Sequence, residues 1–330
     1  MTRELSADGQ VIILLTASIG PSSSEDSLTQ TEYNEIARIL HENSLRPRDL
    51  VSGPNTSEVR QLVSVSIAQE RLNRLLERQL LLATEMTNWQ TLNIWVVTRA
   101  DDTYPHILRS RMHTHAPATL FGVGDIRALD GLALGVVGSR DANEEALESA
   151  ENVGRLAAAA NVTIVSGGAR GVDRAAMSGA LESGGIAIGY LSDGLAHQAV
   201  SSGARTYIQN GQLTLISSGS PSQTFKAWRA MDRNKLIYAQ SFATLVVESD
   251  YKKGGTWSGA KEQLKRYKYC DVYVRESEPM SEGRSNLERL GARRWTADNV
   301  NELRRLAERS SIKQQSGEED VVPEQLTWRY

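Results

Sequence analysis

The chain has 330 residues, which exceeds the size of one ordinary domain and predicts two. Hydrophobic residues make up 40% of the sequence and charged residues 23%, a composition that excludes a disordered or fibrous protein. The single cysteine, Cys270, excludes a disulfide within this chain and a cysteine-based zinc cluster. The longest early apolar run, residues 11–15, is too short for a membrane span, so we expect a cytoplasmic protein with no membrane partner.

The net charge of −3 is unevenly distributed along the chain. Residues 222–275 contain 11 Lys and Arg against 5 Asp and Glu, a local net of +6, whereas the rest of the chain is acidic. A basic stretch inside an acidic chain can concentrate a positive field at one surface, as a nucleic-acid partner requires. A solvated basic face is the alternative that charge alone leaves open.

The first 87 residues predict a helical N-terminal domain. Thr29 with Glu32 forms a capping box that begins one helix. The apolar face of that helix consists of Tyr33, Ile36, Ala37 and Leu40. A break at residues 45–50 precedes a longer helix whose apolar residues run from Val59 to Leu80.

Residues 88–131 form an extended lead-in, with a candidate strand at 94–97, and the pattern then changes. Short apolar runs at 134–137, 162–165, 186–188, 213–216, 244–247 and 272–274 alternate with helical stretches at 143–159, 173–181 and 257–267. This rhythm predicts an α/β fold, a Rossmann-like doubly wound, mostly parallel sheet with a helical N-terminal domain. The predicted units are 1–87, 88–310 and a disordered tail at 311–330.

The loops after the first two predicted strands combine small residues, one arginine each and the start of a helix. Small residues let a phosphate approach the backbone, and the helix N-terminus and the guanidinium attract it. The candidate phosphate-binding residues are Gly138, Ser139, Arg140, Ser166, Gly167, Gly168, Arg170 and Gly171. The GxxxxGK[ST] pattern of a nucleotidase loop is absent, and glycine turns of purely geometric origin are the alternative.

The basic stretch supplies the second half of the candidate site. Its side chains could neutralise phosphates, while the interleaved Trp228 and Tyr238 could stack on bases or simply pack. The candidate residues are Arg233, Asn234, Lys235, Lys252, Lys253, Gly254, Gly255 and Thr256. We expect no metal, no cofactor and no catalytic residue. Glu248 is the one carboxylate placed for acid–base chemistry, and a structural role is the stronger interpretation for it, as helix capping is for Asp173.

Five motifs in this order resemble the DNA-processing protein A (DprA, also called Smf) family. They are Gly138-Ser139-Arg140, the Ser166–Asp173 loop, residues 232–237, residues 245–248 and Gly254-Gly255; the closing Gly283–Leu287 segment and Gly291-Ala292 resemble the family's end. The resemblance implies a Rossmann-like domain that binds single-stranded DNA in a basic pocket. It also implies a homodimer that delivers the strand to a recombinase.

Three positions differ from the family pattern. Met177 stands where the family has a histidine, Lys253-Gly254-Gly255 where it has Ser-Gly-Ser, and residues 275–278 where it has Pro-Gly. They indicate a divergent relative that acts in DNA uptake (transformation) or, with a defence-system protein as partner, against foreign DNA such as phage DNA. Residues 254–262 also faintly resemble the loop of the Lonely-guy phosphoribohydrolases, so a nucleotide-binding sensor or related hydrolase is the alternative function.

Overall fold

The computed structural model describes residues 5–20, 27–277 and 279–316. The strands in those ranges are β1 (Trp95–Thr98), β2 (Thr119–Val123), β3 (Ala133–Gly138), β4 (Thr163–Ser166), β5 (Ala187–Tyr190), β6 (Leu213–Ser217), β7 (Ala243–Glu248), β8 (Asp271–Val274) and β9 (Arg293–Arg294). The α-helices there are α1 (Ala7–Thr16), α2 (Gln30–Glu42), α3 (Thr56–Val63), α4 (Gln69–Leu76), α5 (Gln79–Thr91), α6 (His106–Met112), α7 (Glu144–Ala160), α8 (Val172–Glu182), α9 (Leu195–Ala199), α10 (Ser202–Gln209), α11 (Ala227–Gln240), α12 (Gly254–Glu262), α13 (Glu282–Arg289) and α14 (Val300–Ser316).

One sheet contains these nine strands, in the order β1-β2-β6-β5-β4-β3-β7-β8-β9. The β1–β2 and β2–β6 pairs are antiparallel, and the remaining neighbours are parallel. The chain moves outward from β3 through β4 and β5 to β6, and then returns to place β7 on the other side of β3. The topological switch point therefore lies between β3 and β7. Open parallel sheets bind their ligands there, outside the carboxyl ends of the strands.

Helices cover both faces of the sheet. On one face, Ala150 of α7 and Ala176 of α8 pack with Leu134 of β3 in a single buried cluster. On the other face, Leu236 of α11 packs with Val165 of β4. The central strands are buried on both sides, which explains their nearly continuous apolar sequence.

The N-terminal helices form a third cluster and also reach the sheet. Ile12, Tyr33 and Leu75 belong to the N-terminal cluster, whereas Ile13 and Leu14 on the next face of α1 join the cluster of the first sheet face. The helix α1 therefore packs on β1 and β2, the antiparallel strands at one edge of the same sheet. The boundary after residue 87 stays a prediction.

The predicted fold class is confirmed, and the six predicted apolar runs coincide with β3 to β8. The capping box of Thr29 and Glu32 is present at α2. The prediction of a single longer helix from Val59 to Leu80 is wrong, because three helices, α3, α4 and α5, replace it. Leu80, predicted to lie on the apolar face, is 82% exposed. The turns between the three helices let Val63, Ile67 and Leu72 point into one cluster, which a straight helix would not allow.

The strand β2 and the helix α1 were not predicted from the sequence. The predicted tail, 311–330, lies outside the described residues except for the end of α14, which reaches Ser316. Among the described ranges, no helix has the length and hydropathy needed to cross a membrane.

Candidate functional site

Three loops meet at the switch point and are joined by backbone hydrogen bonds. The Ser139 amide, after β3, donates to the Glu248 carbonyl at the end of β7 over 3.0 Å. The Thr256 hydroxyl on α12 donates to the Gly138 carbonyl over 2.9 Å. The Val172 amide, which begins α8 after β4, donates to the Ser139 carbonyl over 3.4 Å. The predicted loops thus form one continuous surface at the carboxyl edge of the sheet.

Three glycines in these loops permit contacts that no other residue would allow. A Cβ on Gly138 would lie 2.5 Å from the Val172 side chain, and one on Gly167 would lie 1.2 Å from Nη1 of Arg233. Gly171 has a φ of +82°, and its Cβ would lie 2.4 Å from the Ser139 carbonyl oxygen. The glycines therefore bring three backbone segments and one guanidinium into close contact.

Asp173 holds the loop after β4 from within. Its carboxylate is buried and accepts a hydrogen bond from the Gly167 amide over 3.2 Å, together with the amides of Ala169 and Gly138. Burial raises the pKa of Asp173, and Arg233 and the three amides oppose the rise. Asp173 lies in the first turn of α8, but its hydrogen bonds go to the loops rather than to that helix.

Arg233 reaches the loops from α11 and is 6% exposed. Its Nη1 atom lies 3.8 Å from Oδ2 of Asp173, which is an ion-pair distance but too long for a hydrogen bond. Within the described part of the chain, its Nε and Nη1 atoms have no hydrogen-bond partner. Burial lowers the pKa of Arg233, Asp173 opposes this change and the neighbouring Arg140 adds to it.

Two further predicted arginines surround this position at the surface. Arg140 is exposed, and its guanidinium carbon lies 6.0 Å from the centre of the Phe225 ring. Arg170 is also exposed and pairs with Asp141 over 2.6 Å. Exposed cations in these positions can move to meet a ligand, unlike the buried Arg233.

The loop after β7 contributes the last predicted residues. Lys252 is exposed with a φ of +56°, and its Nζ lies 4.8 Å above the Tyr251 ring. Lys253 and Gly254 follow it at the exposed start of α12. The Asn234 side chain donates to the Gly255 carbonyl over 3.3 Å, which fixes α11 against this loop.

The structure places Lys235 on a different face of α11 from Arg233. Its Nζ pairs with Asp232 over 2.8 Å and lies 5.5 Å from the centre of the Tyr267 ring. It therefore faces a groove beside the site. The predicted residues that the switch point does bring together are Gly138, Ser139, Arg140, Ser166, Gly167, Gly168, Arg170, Gly171, Arg233, Asn234, Lys252, Lys253, Gly254, Gly255 and Thr256.

Sequence reasoning did not assign Arg229 and Asp193 to the site. Burial lowers the pKa of Arg229, and Asp193 in the loop after β5 opposes the change, as it does for Arg233. The charge of Asp193 therefore acts on both arginines. The four-residue spacing of Arg229 and Arg233 could have predicted that they lie together, because residues four apart on a helix share a face.

Glu248 is held by its neighbours at the end of β7. It accepts hydrogen bonds from the Ser249 amide over 2.9 Å and the Ser281 hydroxyl over 2.5 Å, and its Oε2 lies 3.4 Å from the buried Arg284. A Cβ on Gly283 would lie 1.8 Å from the Ser249 carbonyl, so α13 packs tightly on this loop. In the described ranges, no group of three His, Cys, Asp or Glu side chains could hold a metal ion.

Comparison with known proteins identifies the family. The family model of DNA recombination-mediator protein A matches residues 95–305. The DNA processing protein DprA of Streptococcus pneumoniae is 32% identical over 157 residues, which cover 47% of this chain and 54% of that protein. Protein Smf of Escherichia coli is 34% identical over 151 residues, covering 43% of this chain and 38% of that protein. This chain therefore matches about half or less of the length of these relatives.

The fold comparison extends over nearly the whole chain. The X-ray structure of DprA from Streptococcus pneumoniae superposes with a TM-score of 0.70 and 19% identity, covering 92% of this chain and 98% of that one. It shares the fold, including the N-terminal part that the family model does not reach. The resemblance drawn from the motifs is confirmed, and because the family model matches more than half of the sequence, the chain belongs to the DNA recombination-mediator protein A family.

Proposed function

We propose that this protein binds single-stranded DNA at the switch point without catalysing a reaction, in DNA processing or recombination. The observation that carries the proposal is the Arg233 guanidinium, buried over Gly167 with two nitrogens that lack partners among the described residues. Buried donors without acceptors are costly, and a phosphate oxygen that reaches them when the loop after β4 shifts would satisfy them. The description of the family as a recombination mediator supports the same function.

The surroundings of Arg233 favour an extended polyanion. The N-terminus of α8 and the loop glycines suit one phosphate, while Arg140 and Arg170 stand exposed on one side and Lys252 and Lys253 on the other. These cations follow three neighbouring strands of the sheet, β4, β3 and β7. A strand crossing the carboxyl edge of the sheet would meet them in succession.

The carboxylates of the site support binding rather than catalysis. Glu248 is engaged by Ser281, the Ser249 amide and Arg284, and Asp173 by three backbone amides. A general base needs an accessible oxygen at the reacting atoms, and both groups instead hold loops in place.

A nucleotide sensor or phosphoribohydrolase-like enzyme is the second candidate. One observation favours it: a single helix N-terminus, that of α8, follows the glycine loop beside Arg233 and suits one phosphate. Such a ligand would not depend on Lys252 or on Arg229. The two functions therefore differ in how far the ligand reaches across the surface.

The experiment is a fluorescence anisotropy titration with a labelled single strand of about 15 nucleotides and the matching duplex, at several salt concentrations. We expect tighter binding of the single strand and little sequence preference. Contacts to about 3–5 phosphates predict a log–log salt slope of about −2 to −3.5, at about −0.7 per phosphate. Equal affinity for duplex, or turnover of AMP or ADP-ribose without strand binding, would contradict the proposal.

A recombinase or a defence-system protein as partner, and assembly as a homodimer, are part of the same proposal and come from the family resemblance. Light scattering with and without the strand would measure the oligomeric state. Co-purification with a recombinase in the presence of the strand would test the partner.

A further inference from the structure

A groove of about 1110 Å³ lies between α2 of the N-terminal region and α11 of the sheet domain. Its lining includes the neutral hydrogen-bonding side chains of Thr29, Gln30, Thr31, Asn34, Thr114 and Ser220, while most of its accessible surface is apolar. Its volume exceeds the roughly 300–1,000 Å³ typical of small-molecule pockets. The groove is thus large, and it offers apolar surface for the faces of bases beside neutral groups for their edges.

Charges in this groove are largely compensated within its own walls. Arg38 pairs with Glu35 over 2.5 Å on α2, and Lys235 pairs with Asp232 over 2.8 Å on α11. Burial, Lys235 and Arg266 lower the pKa of His115, which keeps its imidazole neutral near pH 7. Neutral donors and acceptors suit nucleobase edges better than a continuous row of phosphates.

Arg229 connects the groove with the phosphate site at Arg233. It lies one helical turn before Arg233, donates from Nη1 to the Thr224 carbonyl over 2.7 Å and also lines the groove. Its neighbour Trp228 is 59% exposed at the groove edge, with the Arg229 guanidinium carbon 5.2 Å from its ring centre. A ligand that leaves Arg233 along α11 therefore meets an arginine and an exposed indole before it enters the groove.

The segment 218–226, between β6 and α11, joins the two surfaces to the N-terminal region. Its Ser220 hydroxyl donates to the Ser18 carbonyl beyond α1, and its Gln223 amide donates to the Ser192 carbonyl over 3.0 Å. Phe225 in this segment is 50% exposed and lies beside Arg140. Two exposed aromatic rings, each with an arginine beside it, thus lie along one path.

We propose that the groove between α2 and α11 binds the continuation of the single strand, so that the N-terminal helices form one wall of the DNA site. This inference rests on the proposed function. Phosphates bind at Arg233 and Arg140, the strand turns at Arg229, a base stacks on Trp228, and the following bases meet the neutral walls. Lys235, which is remote from Arg233, then contacts DNA inside the groove.

The test is a length series of oligothymidine strands, from about 4 to about 16 nucleotides, the range of sites on single-strand-binding folds. Binding is compared for the full chain and for the variants Thr31→Glu and Trp228→Ala. Thr31 is the exposed second residue of α2, where an acidic residue favours the helix but repels a strand in the groove. Thr84→Glu adds the same charge on α5 outside the groove and is the matched control.

We expect affinity in the wild type to rise with length as the strand enters the groove. Both groove variants should bind the shortest detectable strand like the wild type but bind the longest more weakly. Trp228→Ala should lose about 10-fold, within the range expected when one base no longer stacks on an aromatic ring, and Thr31→Glu should lose a similar factor because its carboxylate repels the strand. Trp228→Phe should restore most of the loss. If the wild type binds strands but the affinity of both variants rises with strand length as much as in the wild type, DNA binding in the groove is refuted. The proposed phosphate site at Arg233 is unaffected by that result. If no strand of any length binds the wild type, the proposed function itself fails.

Discussion

Arg233 and Asp173 face each other at 3.8 Å inside the fold, yet they share no hydrogen bond. Asp173 accepts from the amides of Gly138, Gly167 and Ala169, so its carboxylate is directed at the loops. Burial raises the pKa of Asp173 and lowers that of Arg233, which means that each group is poorly compensated by the other. The Nε and Nη1 atoms of Arg233 are therefore buried without an acceptor from residues 5–20, 27–277 or 279–316, at the position where the three loops meet.

Replacing Arg233 by methionine tests its contribution to both binding and stability. The apolar side chain preserves most of the volume, but removing one partner of a buried ion pair leaves the other charge, here Asp173, without its cation. We expect a lower Tm and a loss of about 10- to 150-fold in strand affinity, equivalent to about 1.5–3 kcal/mol for hydrogen bonds to a charged group. Anisotropy and thermal melting measure both.

The control for this substitution is Arg155→Met on α7, which removes the same charge near the end of the helix that lies away from the switch point. It should bind like the wild type. Unchanged strand affinity in a folded Arg233→Met protein would show that the buried guanidinium does not contact DNA.

A Gly167→Ala substitution tests the close approach of the loop to Arg233. The added Cβ would lie 1.2 Å from Nη1 of Arg233 and 2.6 Å from Oδ2 of Asp173, so the guanidinium must move. We expect strand binding to fall at least as far as in Arg233→Met, together with a lower Tm, measured on the same instruments. Gly203→Ala in α10 has no heavy atom within 4 Å of the new Cβ and should raise stability by up to about 1 kcal/mol. Equal strand affinity and equal Tm in the two variants would contradict the close contact between Gly167 and Arg233.

Glu32 provides a pH-dependent contribution to stability. Its hydrogen bond with Arg71 lowers its pKa below the ordinary value of 4.5, with the Thr29 capping contacts adding to the effect and burial opposing it. A depressed carboxyl pKa stabilises the fold above the unfolded-state value, and this stability is lost as the pH falls through the folded-state pKa. Glu32→Gln should therefore cost about 1 kcal/mol at pH 7, and this cost should disappear as the pH falls through the lowered folded-state pKa of Glu32.

Denaturant unfolding at pH 7, 5 and below 4 measures this difference. Glu148→Gln, an exposed carboxylate on α7, is the control and should show little effect at any of these pH values. If Glu32→Gln lowers the free energy of unfolding by the same amount down to the lowest pH, the substitution removes packing contacts rather than a charge interaction.

The parallel sheet and the meeting of the loops after its strands could be predicted because both depend on local patterns and general rules. Continuous apolar runs mark strands such as β3 and β4, and ligands bind at carboxyl ends, so Gly138 and Gly167 could be placed together. The strand β2 was missed because its pairing with β6 joins residues nearly 100 apart, which no local pattern records. The orientation of α11 was missed too: Arg233 and Lys235 are two residues apart, which is about 200° around a helix.

Removing the N-terminal helices tests the predicted boundary after residue 87. The fragment 88–316 keeps the nine described strands but loses Ile13, Leu14 and Leu82 from the cluster on one sheet face. We expect a folded fragment with a Tm lower by on the order of 10 °C, because several buried aliphatic side chains at about 1.5–3 kcal/mol each are removed. Circular dichroism melting measures it. Aggregation or non-cooperative melting would place these helices within the cooperative unit of the sheet.

The double substitution Lys252→Ala and Lys253→Ala distinguishes a strand from a small nucleotide. Both lysines are exposed at the start of α12, beyond the compact position at Arg233. A strand of about 15 nucleotides should bind more weakly, with a salt slope shallower by about 0.7 for each phosphate that a lysine no longer neutralises.

The control is Lys261→Ala with Lys265→Ala, which removes the same charge farther along α12 and the π-helical turn Gln263–Tyr267 that continues it. This control should leave the salt slope unchanged. AMP binding, measured by calorimetry, should differ little between the two double variants. If the Lys252 and Lys253 variant keeps the wild-type slope, the strand does not cross this loop, and the path along α11 would have to bind the strand alone.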